Sequence, residues 1–425
     1  MAFSREEING DNVACIVDAY SSGAELAREL KRTGWYLLHV QSAPTVPVQF
    51  VKHFDASLFD EHWLCADIGY ASILDRLQQH RPAFLVAGSE PGVELADMLA
   101  NALGLAGNSP QTSIRRRNRF FMAKALSDSG LETAKQYLVQ SELELFQSLR
   151  QLGRYPVVVK PVDAMGSEQV HVCHGQPAAL DAFNCIYGQR NRLGATNTGV
   201  LVQAFLEGDQ YVVNAVSIGG RHRITEMWFE RRLNIRGVGN LYDVETLIPY
   251  EGEVQARLID YIRKVLTALG IEEGPSHSEV VLTPRGPVLI ETGARLQGGV
   301  VSAPIIQAIG ESHVTMTLKR YLDPVWFNEH IDKPYVISRV PRVVNLIMDR
   351  AGIVKENNCP SLLPSLPSFQ MIVRTPGVGE HVPRTVDLCS KAGHIYLLHR
   401  SLEQLDRDYA QIRAWEKSGA LIVLE

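Results

Sequence analysis

Residues 274–299 read GPSHSEVVLTPRGPVLIETGARLQGG. Two short strand patterns flank a turn. Ser278–Leu282 alternates and is rich in β-branched residues, Thr283-Pro284-Arg285-Gly286 carries turn chemistry, and Val288-Leu289-Ile290 is a second apolar run. The hairpin sets Glu279 on one strand and Glu291 at the end of the other, and hairpin partners stand about 5 Å apart. Two carboxylates that close repel unless a positive charge neutralises them. A divalent ion answers that need, and carboxylates with open positions suit Mg²⁺ carrying the phosphates of a nucleotide. Arg295 follows four residues after Glu291, and then comes Gly298-Gly299. A guanidinium fixed beside a metal-bound phosphate stabilises charge during phosphoryl or acyl transfer. His277 precedes Glu279 on the same strand face. The same residues also fit a surface hairpin with two solvated glutamates.

A chain of 425 residues has room for two to three domains and a large core. Its hydrophobic and charged fractions, 45% and 21%, are those of an ordinary globular protein. A net charge of −5 gives no electrostatic case for nucleic acid or an anionic membrane. The six cysteines are scattered without CxxC pairing, which argues against a zinc site and a disulfide scaffold. Met1–Gly10 is polar and acidic, unlike a signal peptide, and no apolar run reaches the length of a membrane span. A cytoplasmic location is the expectation.

In chain order, Val13–Val17 reads as a buried strand, Ala24–Lys31 as a helix and Trp35–Val40 as a second strand. This is a βαβ unit, so the opening is an α/β domain with a parallel sheet. Ala83–Ala87 is a later strand, followed by Ser89-Glu90-Pro91-Gly92 and a helix to about residue 103. No GxGxxG follows the first strand, so a dinucleotide site there is unsupported. Ser113–Leu126 reads as one helix with a basic start, either a solvated face or, through Arg119, a phosphate contact. Tyr155–Val162 is a strand with Lys160 in its apolar centre, costly to bury without a partner. It runs into the small-residue loop Asp163–Ser167. A lysine at the end of a strand before such a loop can hold a phosphate while loop amides cover others. Gly199–Ser217 gives two strands broken at Glu207-Gly208-Asp209; Gln203 to Leu206 fits either an ordinary hairpin or a backbone edge offered to a purine. Arg221–Pro249 is dense in arginine and reads as a loop, mobile over substrate or merely solvated. Gln255–Leu269 is an amphipathic helix. Ala303–Arg320 reads as one helix, and the tail after Asp332-Lys333-Pro334 as a small α+β lid.

Taken as an ordered set, VDAYSSG, SEPGVELAD, VVVKPVDAMGS, GVLVQAFLEGDQYVV, GPSHSE and LIETGARLQGG resemble the ATP-grasp superfamily. Within it they resemble the carboxylate–amine ligases that make dipeptides, the L-amino acid ligases. The resemblance covers most of the chain. It implies α/β and α+β classes together: an N-terminal α/β (pre-ATP-grasp) domain over residues 1–110, a central subdomain with the phosphate loop over 111–200, a C-terminal subdomain with the metal site over 201–330, and an appended α+β lid over 331–425. It implies ATP and Mg²⁺, with Mn²⁺ as an alternative ion. Lys160 and Arg119 would hold phosphates under Gly166 and Ser167. Gln203, Ala204, Phe205 and Leu206 would form the adenine hinge, and Gln210 would reach the ribose. Glu279 and Glu291 would bind the metal, Arg295 would stabilise the acyl phosphate, and His277 would orient substrate or assist proton removal. Arg119 stands where the family usually has lysine, Gln210 where it has glutamate, and Gly293 where many members have asparagine. The implied substrates are a small carboxylate and an amine, amino acids in both cases, with no nucleic acid or membrane partner and a homodimer allowed. Two other activities fit the same residues: loading an amino acid onto a carrier protein, and binding nucleotide without catalysis.

Overall fold

In a computed structural model the described residues are 12–425, apart from 48–49, 52–53, 165, 167, 236–238 and 389. The chain opens as the βαβ pattern requires. Strands β1 (Val13–Val17), β2 (Tyr36–Gln41), β3 (Glu61–Leu64) and β4 (Phe84–Ala87) form a parallel sheet in the order β3-β2-β1-β4. Helices α1 (Ser22–Arg32), α2 (Cys65–His80) and α3 (Val93–Leu103) connect and flank them. β1, an inner strand, and β4, at the sheet edge, are both buried along their whole length, as strands of a parallel sheet covered by helices are.

The single helix expected over Ser113–Leu126 is two: α4 (Ile114–Arg117) and α5 (Arg119–Asp128). Asn118 takes an extended conformation between them, and its side chain accepts from the backbone N–H of Phe120 and Phe121. Asparagine gains more as an N-cap than inside a helix, so the break falls there. Arg119 thereby becomes the first residue of a helix rather than a mid-helix side chain.

A second, antiparallel sheet holds β5 (Gln136–Val139), β6 (Val157–Pro161), β7 (His171–Cys173) and β8 (Val200–Ala204) in the order β5-β8-β6-β7. Helices α6 (Glu142–Leu152) and α7 (Gln176–Ile186) cover one face through Leu145, Leu149, Phe183 and Ile186.

The third sheet is the largest. It contains β9 (Asp209–Ile218), β10 (Arg221–Ile235), β11 (Gly239–Leu247), β12 (Gly274–Thr283) and β13 (Gly286–Gly293), with helix α8 (Glu253–Ala268) packed on it. The arginine-rich stretch read as a loop is therefore the hairpin β10–β11 in the middle of a sheet. Several of its charges are compensated: Arg223 pairs with Glu311, Arg231 with Asp243, and Arg232 with Glu230. Arg236 lies outside the described residues.

The helix expected over Ala303–Arg320 is also two, α9 (Ser302–Ile309) and α10 (His313–Leu322), followed by α11 (Pro324–Glu329). Gly310 at φ +81 ends the first, and Ser312 opens the second in a capping box with Thr315. The tail contributes β14 (Val340–Leu346), β15 (Gly352–Asn357), α12 (Cys359–Leu362), β16 (Phe369–Arg374), β17 (His381–Val382), β18 (Gly393–His399), α13 (Leu402–Lys417) and β19 (Ile422–Leu424). Three of these strands extend the large sheet to eight in the order β13-β12-β9-β10-β11-β14-β18-β16; β17-β15-β19 form a small sheet of their own. One continuous apolar core runs from Val17 and Leu85 through Met122 to Val213, Ile262 and Leu289. It joins the parallel sheet to the large sheet and brings the turn after β4 beside β13. Among the described residues no helix is long and apolar enough to cross a membrane.

Candidate active site

The site is built on the hairpin β12–β13. Glu279 and Glu291 are direct register partners, and a bulge follows Glu279. Bulges re-aim side chains, here at the end of the hairpin that faces the central sheet. Both side chains reach the cleft, 13% and 22% exposed.

Positive groups from three directions meet this pair. Arg119, at the start of α5, donates its Nε–H to Glu291 Oε2 at 2.6 Å, and its Nη2 bonds the same carboxylate and the Ala164 carbonyl. Arg232 lies 3.8 Å from Glu279, and Gln210 donates to Glu279 at 3.2 Å. Burial pushes the Glu279 carboxyl up, but the His277 ring and the Arg232 and Arg119 guanidiniums outweigh it and hold it at about 2. It is therefore charged at neutral pH. Lys160 is the last residue but one of β6, its side chain is buried, and no carboxylate among the described residues forms an ion pair with it. Burial, and then Arg119, lower its ammonium from the usual 10.5 to about 8, while Glu291 and Glu279 pull the other way.

The loop after Lys160 carries Gly166 at φ +62. Ser167 lies outside the described residues, as does Met165. Gln203 and Ala204 end β8, whereas Phe205 and Leu206 form the connection to β9. That connection is fixed at Gly208, where φ is +151 and an added Cβ would lie 2.2 Å from the Leu282 carbonyl oxygen. Only glycine lets the segment lie flat on β12. Gln210 follows on β9 and contacts Glu279.

Arg295 does not hang free over the carboxylates. Its Nε–H donates to Glu90 Oε2 at 2.7 Å and its Nη1 to the Leu296 carbonyl. Glu90 also accepts from Arg117 Nη1 at 2.8 Å, and Arg117 Nη2 reaches Asp163 at 3.0 Å. Burial would raise the Glu90 carboxyl, but Arg295 and Arg117 hold it at about 2. This chain of charges crosses from the parallel sheet to the large sheet. Gly293 makes room for it: a Cβ there would lie 2.6 Å from Glu90 Oε2. Glu90 thus occupies space that any side chain at position 293 would fill. The sequence assigns no role to Glu90 or Arg117, and it marks Arg232 only as part of the arginine-rich stretch. A signal for Glu90 existed, since it follows β4 at the carboxyl end of a parallel sheet, where α/β folds bind ligands.

His277, two residues before Glu279, is buried and bonds Asn214 through Nδ1 at 2.9 Å; its Nε2 stands 3.9 Å from Glu279. The structure thus brings Arg119, Lys160, Gln210, His277, Glu279 and Glu291 together. Arg295 joins the same cleft, which Glu90, Arg117, Asp163 and Gly293 also line. Among the described residues no cluster of three or more acidic, histidine or cysteine groups forms a metal cage. Two adjacent carboxylates fit an ion that takes its remaining ligands from phosphates and water, the usual mode for Mg²⁺.

Comparison with known proteins gives the family. Residues 153–303 match the ATP-grasp domain model. Dapdiamide A synthase of Enterobacter agglomerans is 30% identical over 417 residues, covering 96% of each chain. The L-arginine-specific L-amino acid ligase of Bacillus subtilis is 21% identical over 246 residues, 56% of this chain and 58% of that one. The crystal structure of an L-amino acid ligase from Bacillus licheniformis superposes with a TM-score of 0.73 at 18% identity, over 95% of this chain and 97% of that one. The chain belongs to the ATP-grasp amino acid ligases and is an ATP-dependent carbon–nitrogen ligase.

Proposed function

We propose that this enzyme joins the carboxylate of one amino acid to the amine of a second through an acyl phosphate, releasing ADP and phosphate. The observation that carries the proposal is the register pair Glu279 and Glu291 with Arg119 bonded to it and Lys160 within reach of its charge, beside a cleft that Arg119, Glu291 and Arg295 line together. A carboxylate is a poor acyl donor because oxide is its leaving group. Attack of its oxygen on the γ-phosphorus of ATP expels ADP and leaves phosphate as a far better leaving group. The amine then attacks the acyl carbon, and phosphate departs with the former carboxylate oxygen. Lys160 and Arg119 hold the nucleotide's phosphates, and Gln203 to Leu206 take the adenine edge. Glu279 and Glu291 would hold Mg²⁺, which when bound neutralises charge on the phosphates. Arg295, aimed by Glu90, stabilises the acyl phosphate and the tetrahedral oxyanion. His277 meets the amine.

The test is ADP and phosphate release over pairs of amino acids, with mass spectrometry of the products. A dipeptide formed in step with ADP is the expected result. ADP release that no free amine stimulates would contradict it.

Two predictions follow from single side chains. ATP binding adds negative charge beside Lys160 and so raises its pKa. Nucleotide binding should take up a fraction of a proton near pH 8, and affinity should fall as pH rises above 8. Calorimetry in two buffers of different protonation enthalpy reads this directly; equal heats would place Lys160 away from the phosphates. Lys160→Ala should weaken ATP by about 1.5–3 kcal/mol, the size of one charged hydrogen bond. The second prediction concerns Gly293→Ala. The new methyl must displace the far end of Glu90, which a flexible side chain allows at little cost in stability. Arg295 then loses its anchor, and turnover should fall by about tenfold to a hundredfold with Tm little changed. Full turnover would show that Glu90 does not aim Arg295.

A further inference from the structure

Side chains of β11, β14 and β18 alternate between the two faces of the large sheet. Val244, Val344, Leu346, Ile395 and Leu397 pack on one face with Leu405 and Ile412 of α13. Leu247, Val343 and Tyr396 pack on the other with Ile305 of α9. Glu245, Asn345 and His394 each stand two residues from one of these and so share the second face. The register sets Glu245 opposite Glu230, and Asn345 opposite His394.

Asn345 is 1% exposed. Lys391, just before β18, donates from Nζ to Asn345 Oδ1 at 2.7 Å. An ammonium has donors only, so the amide oxygen must face it and the orientation of the amide is fixed. Asn345 Nδ2 then has no partner among the described residues. A buried N–H left without an acceptor is costly and asks for one. An acceptor with capacity to spare stands on the same face. Glu245 is half-buried and, among the described residues, accepts one hydrogen bond, from Gln297 Nε2 at 3.1 Å; a carboxylate can take about four. Lys391 is also the first charge that offsets the effect of burial on Glu245, so the three side chains are neighbours. The loop crossing here meets His394 Nε2 through the Gly299 carbonyl at 3.2 Å and brings no side chain over the gap at that point. The gap adjoins the active site. Gln297 joins Glu245 to Asn214, which bonds His277, and Glu230 pairs with Arg232 beside Glu279.

We propose that Asn345, Lys391 and Glu245 are specificity-determining residues that together take a carboxamide carried by one of the two substrates. Its carbonyl oxygen accepts from Asn345 Nδ2 and from Lys391, and its NH₂ group donates to Glu245. The choice of group rests on the ligase reading. Each substrate spends one of its charged groups on the reaction, so no intact zwitterion remains to offer a donor and an acceptor side by side. A carboxamide offers both without net charge. A bare ammonium would meet the like charge of Lys391, and a bare carboxylate that of Glu245.

Substrate comparison on the full-length protein tests this. L-Glutamine and L-asparagine are set against L-glutamate, L-aspartate, L-methionine and L-leucine, which keep the shape and change the group, in each substrate position. In one position kcat/KM should favour a carboxamide over its charged and its apolar counterpart by at least about tenfold, the scale of one hydrogen bond. Equal values would overturn the proposal and leave Asn345 Nδ2 to an ordered water. Glu245→Gln sets a third donor in the gap and should turn the preference toward the carboxylate by about tenfold. A folded variant that loses activity on every substrate in proportion, with its preference unchanged, would mark a structural role and also overturn the proposal. If Glu245→Gln does not fold, Lys391→Met, at a half-buried position, should lose most of the preference; if neither folds, the wild-type comparison decides alone. Calorimetry with L-glutamine and L-glutamate, in the presence of the β,γ-imido analogue of ATP, reads the same preference without turnover. Tighter binding of the carboxamide where no dipeptide forms would uphold the recognition site while the ligase reading failed, so the two are separable.

Discussion

Glu291→Gln, or Glu279→Gln, is expected to abolish turnover while the protein stays folded. The two carboxylates face each other across the hairpin, and each already has cationic or donor neighbours: Arg119 on Glu291, and His277, Arg232 and Gln210 on Glu279. A glutamine keeps the shape and one acceptor oxygen but removes the charge that a divalent ion requires. Loss of several kcal/mol of charge stabilisation corresponds to about three or more orders of magnitude in rate. Both side chains reach solvent, so stability should change little compared with activity. Thermal denaturation, a Mn²⁺ titration followed by electron paramagnetic resonance, and ADP release on one preparation make the test. A folded variant with near-native turnover would remove the carboxylate pair from the chemistry. A variant that still binds Mn²⁺ as tightly as the wild type would remove it from the metal.

Arg295→Ala should separate chemistry from binding. The guanidinium is anchored on Glu90 by Nε and on the Leu296 carbonyl by Nη1. Such two-point anchoring directs the remaining Nη2 and costs no reorganisation during the reaction. If its charge acts mainly on the acyl phosphate and the oxyanion that follows, ATP affinity should hardly move. Turnover should fall by roughly two to three orders of magnitude, the scale of one lost oxyanion donor. Arg295→Lys should recover only part, because an ammonium cannot bond Glu90 and the reacting group with one planar fork. Calorimetry with ATP beside phosphate release on the same protein checks this. Loss of ATP binding in proportion to turnover would make Arg295 a ground-state phosphate ligand.

Local signals in the sequence reached as far as local physics does. The hairpin of residues 274–299 was legible because a Thr-Pro-Arg-Gly turn separates two strand-period runs, which sets the pairing of Glu279 with Glu291. The opening βαβ unit was legible for the same reason. The hairpin β10–β11 was not. Its buried residues include His222, Arg223, Glu226 and Glu230, so the alternation of apolar and polar residues that marks a strand is missing. Those polar groups are buried because the strand lies in the middle of a sheet with a functional face, and each finds its partner on another element. The two helix breaks, at Asn118 and near Gly310, hide inside patterns that remain helical on either side. Glu90 illustrates the larger limit. Its partner Arg295 lies 205 residues away, and the space it fills is defined by the side chain that Gly293 lacks. Composition gives no access to such an absence; only the packing of the parallel sheet against β13 does.

The acyl phosphate is the centre of the account, and an oxygen label follows it most directly. A carboxylate substrate carrying ¹⁸O in both oxygens is turned over with ATP and the amine, and the released phosphate is analysed by mass spectrometry. Attack of the carboxylate on the γ-phosphorus, followed by displacement of phosphate, predicts one ¹⁸O in each phosphate released, with ADP unlabelled and the second ¹⁸O in the amide. Label in AMP, or phosphate free of ¹⁸O while amide forms, would contradict it.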